Sequence, residues 1–120
     1  MILVDTSIWV DHLRTGDQQL TALLEAGRVL AHPFVIGELA LGRLNPRNAI
    51  LADFADLPQA RVASDREVLE FIELHALAGL DVGYIDVHLL AAVRLTEDAS
   101  LWTRDRRLHA IASRLTLTVT

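Results

Sequence analysis

ILVDTSIW, residues 2–9, joins a continuous aliphatic run to an aspartate and then to a segment of helical spacing. A short apolar run without polar alternation is how a strand buried on both faces reads, and a helix following at once is how the crossover of a parallel sheet begins. The same grammar recurs along the chain. VLA at 29–31 precedes His32-Pro33, with Pro33 suited to the first turn of a helix that reaches about Gly42. LWT at 101–103 precedes a helix from Asp105 to Ser113, and Arg61–Ala63 and LTLTV at 115–119 read as two further strands. Between these, Asp17 caps a helix that stops at Gly27, and Asn45-Pro46 opens one that runs to about Asp56. Ser64, with Glu67 three residues on, makes a capping box for another. Gly79–Gly83 is a loop, and Ile85–Leu95 is a nearly all-apolar helix. The alternation predicts an α/β fold: a single domain with a central parallel sheet of about five strands and helices on both faces. In such sheets ligands bind beyond the carboxyl ends of the strands, where Asp5 and Asp105 fall.

The length of 120 residues suits one core and is short for two. Hydrophobic residues make up 52% of the chain, which excludes disorder, yet charges interrupt every run before the roughly eighteen residues a bilayer span needs. A soluble, cytoplasmic protein without membrane partners is expected. The opening MILVDTSIW has no basic n-region and reads as a structured strand. With no cysteine there is no disulfide framework, zinc-thiolate site or thiol nucleophile. All eleven basic residues are arginine. The absence of lysine removes a Walker A loop and a Schiff base, and favours bidentate contacts to phosphate or carboxylate. A net charge of −5 means that any nucleic acid is held by a local basic surface or through metal ions.

Four acids interrupt apolar surroundings: Asp5 after ILV, Glu38 in FVIGELAL, Asp86 in YIDVHLLAAV and Asp105 after LWTR. A carboxylate among aliphatic residues costs several kcal/mol of desolvation unless it is neutralised, paired or bound to a cation. Taken singly, each has a local reading. Asp5 and Asp105 suit N-caps, Arg43 is a partner within reach of Glu38, and the helix dipole favours Asp86 in a first turn. One shared cause is simpler: distant segments converge on a hard cation, Mg²⁺ or Mn²⁺, whose preferred ligands are oxygens.

The order VDTSIW, then GEL within a helix, then YIDVHLLAA, then WTRD resembles the PIN domain nucleases, and the length and opening resemble their VapC-type toxins. The resemblance spans the chain. It implies that Asp5, Glu38, Asp86 and Asp105 are the catalytic, metal-binding acids, with Thr6, Ser7 and Thr103 as supporting hydroxyls. It also implies metal-assisted hydrolysis of RNA phosphodiester bonds, leaving 5′-phosphate and 3′-hydroxyl ends, by the toxin of a toxin-antitoxin pair. An antitoxin partner and a homodimer are expected on the same ground. One position departs: many members carry a further acid two residues after the fourth, where Arg107 stands here, and that bears on a second metal ion.

Arg104, Arg106 and Arg107 are candidate RNA phosphate contacts, with a solvated helix face as the plainer reading. The five histidines, His12, His32, His75, His88 and His109, have no ligand spacing and read as surface or core packing. Trp9 and Trp102 read as core, and Glu67, Glu70 and Glu73 as the exposed stripe of a helix. Two other classes compete. A phosphate-sensing receiver domain shares the length and the acidic pocket but requires a lysine; an inactive PIN-fold binding module fits poorly with four filled acidic positions.

Overall fold

β1 (Ile2–Val4) is the central strand of a parallel sheet of order β2-β1-β3, between β2 (Val29–Leu30) and β3 (Ser100–Trp102). The computed structural model describes residues 1–119. The register sets Leu3 beside Leu30 and Leu101, and Val4 beside Trp102. Leu3 and Val4 are both fully buried. Successive strand residues point to opposite faces, so both faces of the central strand are covered, as its unbroken apolar run requires.

Seven helices complete the described chain: α1 (Thr6–Thr15), α2 (Gln18–Glu25), α3 (Pro33–Ala40), α4 (Arg47–Asp56), α5 (Asp65–Leu74), α6 (Tyr84–Leu95) and α7 (Arg106–Arg114). Local chemistry explains their starts. Asp17 accepts from the Leu20 N–H, and the Ser64–Glu67 capping box closes in both directions. His32 Nδ1 accepts the Phe34 N–H, capping α3 just before Pro33 takes its first turn. Every residue of α6 from Val87 to Val93 is buried. A helix apolar on all sides belongs inside the molecule, and α6 packs against both α5 and β3. α7 is instead one-sided, burying Leu108, Ile111 and Ala112 and exposing its arginines.

The expected five strands are three among the described residues, flanked by two single bridges, Ala31 to Gln59 and Leu101 to Thr118. The Arg61–Ala63 strand does not form. The pairing instead uses the Pro58 carbonyl and the Ala60 N–H, after which the Arg61 N–H donates to Thr96 Oγ1, at 2.9 Å, and leaves the sheet. The 115–119 strand is shortened for a different reason. Leu115 still bonds back to Ile111 as the cap of α7, and Thr116 turns the chain at φ +59°. Pairing with Leu101 therefore begins only at Leu117. No helix among the described residues is long and apolar enough to cross a membrane.

Candidate metal-binding active site

Because β1 and β3 are parallel neighbours, their carboxyl ends deliver Asp5 and Thr103 to one place. The Asp5 N–H donates to the Trp102 carbonyl at 3.0 Å, extending the pairing one residue beyond β1. Thr103 Oγ1 donates to Asp5 Oδ2 at 2.7 Å and accepts from the Asp105 N–H at 3.1 Å. One buried hydroxyl thus ties together two acids a hundred residues apart in sequence.

Both aspartates are also N-caps. Asp5 Oδ1 accepts from the Thr6 N–H at 2.8 Å, and Asp105 Oδ1 accepts from the Leu108 N–H at 2.9 Å. Capping and convergence turn out to be compatible, since a carboxylate has about four lone-pair sites and a cap fills one of them. Glu38 comes from the exposed side of α3, and its Oε1 accepts from Thr6 Oγ1 at 2.7 Å. No ion pair joins it to Arg43 among the described residues. Thr6 therefore serves two acids, the backbone to Asp5 and the hydroxyl to Glu38. Ser7 is exposed, and its hydroxyl has no partner among the described residues, because the first turn of α1 rotates it away from the sheet end.

Asp86 stands half-buried in the first turn of α6. Its carboxyl is pushed up to about 6 by burial first, and then by the charges of Asp5, Asp105 and Glu38, with the Gly83 backbone pulling weakly the other way. The helix dipole at this position favours the anion, so desolvation and like charge outweigh it. The upward shift carries the signature of all three other acids. A cluster of this kind favours a cation, and an all-oxygen donor set suits a hard one. Among the described residues no three acids or histidines are placed, as they lie, to hold a metal ion between them.

Two of the three candidate arginines, Arg104 and Arg107, make ion pairs within the chain. Arg104 Nη1 pairs with Asp11, and Nη2 with Asp17 Oδ2 at 2.9 Å. Arg107 Nη1 pairs with Asp81 in the loop ahead of α6. Both guanidiniums thus pair with carboxylates of this chain while remaining partly exposed to solvent. Arg106 is exposed and has no ion pair among the described residues. The pairings with Asp11, Asp17 and Asp81 are not legible in the sequence, since nothing local marks contacts across 93, 87 and 26 residues. Tyr84 turns its hydroxyl to Asp65, 3.3 Å away. His32 and His88 are buried, flanking Phe34 edge-on, and Trp9 lies in the core. A groove of about 320 Å³ borders the acids at Glu38, walled by Val10, Leu13 and Leu39 with Arg14 and Arg43 at its rim.

A parallel α/β domain with acids from four segments at one end of its sheet is the arrangement of a PIN domain, and the profile of that family matches residues 2–114. The chain belongs to the PIN domain family. Within it, the chain is similar to Ribonuclease VapC32 of Mycobacterium tuberculosis, strain CDC 1551 / Oshkosh, with 46% identity over 110 residues, covering 92% of this chain and 89% of the relative. The protein of the same name from strain ATCC 25618 / H37Rv matches to the same extent. That likeness places the chain in the VapC branch of the family.

Proposed function

We propose that this chain, a single PIN domain over residues 1–120, is an Mg²⁺-dependent endoribonuclease that acts as the toxin of a VapBC-type pair in the cytoplasm. The observation that carries the reading is the meeting of four acids from separate segments at one end of the sheet: Thr103 joins Asp5 to Asp105, Thr6 joins Asp5 to Glu38, and burial first and then the charges of those three push Asp86 up to about 6. The ribonuclease name of the VapC32 relatives supports RNA as the substrate class.

In this reading Asp5, Asp86 and Asp105, with Glu38 directly or through water, hold the cation. Bound there, Mg²⁺, or Mn²⁺ in its place, supplies positive charge to the scissile phosphate and to the attacking water. Thr103 keeps Asp5 and Asp105 fixed relative to one another, and Thr6 does the same for Asp5 and Glu38. Water adds to phosphorus as the P–O3′ bond breaks, and the departing O3′ takes up a proton. The products carry 5′-phosphate and 3′-hydroxyl ends. The exposed Arg106, with Arg104 and Arg107 beside it, is the candidate contact for RNA phosphates in this reading.

The groove beside Glu38 suits an antitoxin segment with an apolar face and an arginine aimed at the acids. Exposed Leu69, Leu74, Tyr84, Ile85 and Leu95 on α5 and α6 supply an apolar surface for a homodimer. Purified protein freed of any partner should cleave single-stranded RNA with Mg²⁺ or Mn²⁺ and stop when the metal is chelated. An unchanged rate in chelator would refute the metal mechanism, and a monomer by light scattering would refute the dimer.

A further inference from the structure

Between β3 and α7 the chain passes through Thr103, Arg104 and Asp105. Thr103 turns inward to Asp5, while Arg104 turns the other way and lays its guanidinium between two carboxylates of remote elements. Asp11 belongs to α1, the helix that Asp5 caps and that carries Thr6. Asp17 is the cap of α2, with Oδ1 accepting from the Leu20 N–H at 2.9 Å and Oδ2 accepting from Arg104. Its own N–H donates to His12 Nδ1 at 3.0 Å, so the α1–α2 corner is stiffened from within. A planar fork held at both prongs fixes the orientation of its backbone as well as its distance. Side chains alternate along an extended segment, so fixing Arg104 on one side sets where Thr103 and Asp105 stand on the other.

We propose that Arg104 is a positioning residue: by clamping the Thr103–Asp105 segment to α1 and to the cap of α2, it holds Asp105 and the Thr103 hydroxyl in register with Asp5. The proposal rests on the metal-dependent ribonuclease reading above. It gives Arg104 a role within the chain, through Nη1 to Asp11 and Nη2 to Asp17, in place of a phosphate contact. At 44% exposure of the Arg104 side chain, the clamp contributes little to global stability, so its removal should leave the melting temperature nearly unchanged.

Arg104→Ala, Arg104→Lys and the double variant Asp11→Asn/Asp17→Asn test this in the full chain, with a single-stranded RNA oligonucleotide and MgCl₂ as probes. Arg104→Ala should lower kcat about tenfold, within the range that a misplacement of about 1 Å produces. Mg²⁺ affinity by calorimetry should fall several-fold, and the Asp105 amide should exchange hydrogen faster. KM for RNA should stay within about twofold. Arg104→Lys should recover part of the loss, since one ammonium cannot reproduce the fork. The double Asn variant, with Arg104 intact and released, should repeat the loss of Arg104→Ala. A fully active double variant, combined with a raised KM and unchanged kcat in Arg104→Ala, would overturn the proposal and make Arg104 a phosphate contact. If Arg104→Ala does not fold, Arg104→Lys and the double variant carry the same comparison. If the unmodified protein cleaves equally well in chelator, the metal assignment falls, while kcat and the Asp105 amide still decide Arg104.

Discussion

Replacing Asp86 by asparagine should abolish RNA cleavage and yet stabilise the metal-free protein. In the folded chain the Asp86 carboxyl lies at about 6 instead of 3.8, because burial and three acidic neighbours oppose its charge. At 1.36 kcal/mol per pKa unit, that shift corresponds to at most about 3 kcal/mol held against folding. Water at the half-open site screens part of it, leaving about 1–2 kcal/mol. Asparagine keeps the shape and removes the charge. A folded-state pKa above the unfolded one means that the native state binds more protons between the two values. The penalty is therefore absent below pH 4, grows from pH 4 to 6 and is complete above pH 6. In chelator at pH 8, Asp86→Asn should melt several degrees above the unmodified protein, given roughly 3–6 °C per kcal/mol for a domain of this size. Below pH 4 the two should coincide. Adding Mg²⁺ at pH 8 should raise the melting temperature of the unmodified protein and leave the variant nearly unmoved. Thermal denaturation followed by circular dichroism, with and without chelator, reads all of these. A fall in melting temperature for the variant at pH 8 in chelator would refute the reasoning and make Asp86 a structural acid.

Thr103→Val should cost about 1–2 kcal/mol in denaturant unfolding, because it strands a buried Asp5 oxygen and the Asp105 N–H, and it should lower kcat as well; Thr103→Ser should preserve most of both. His32 runs opposite to Asp86. Its pKa is lowered to about 4 by burial and then by His88, so the stability it confers is complete above pH 6.5 and is lost as pH falls toward 4, by roughly 2–3 kcal/mol. His32→Asn, which keeps an α3 cap, should remove that loss in a pH series of urea melts. Ser64→Ala breaks the α5 capping box and should cost about 1 kcal/mol with no change in cleavage, a control for variants that lower activity.

The elements most legible from the residues alone are those whose cause is local. Asp17, Pro33 and the Ser64–Glu67 pair announced helix starts that the structure reproduces, because capping is settled within four residues of chain. The buried α6 was legible from its lack of a polar face. The strand expected at Arg61–Ala63 was not, since Thr96, thirty-five residues on, captures the amide that the ladder needed. Asp5 and Asp105 suited N-caps on local grounds and are caps, whereas the meeting of both with Glu38 and Asp86 is a matter of tertiary structure.

By itself the sequence determined the helices, the parallel β1 core and the residue types present for chemistry, because propensity, capping and burial pattern act over a few neighbouring positions. Only the tertiary structure decided which acids feel one another, that Thr103 links Asp5 to Asp105, and that Arg104 and Arg107 answer to carboxylates of their own chain. Those are Coulombic and hydrogen-bonding relations between segments as many as ninety-eight residues apart. Their strength depends on separations of a few ångströms and on burial, which exist only once the sheet has brought its strand ends together.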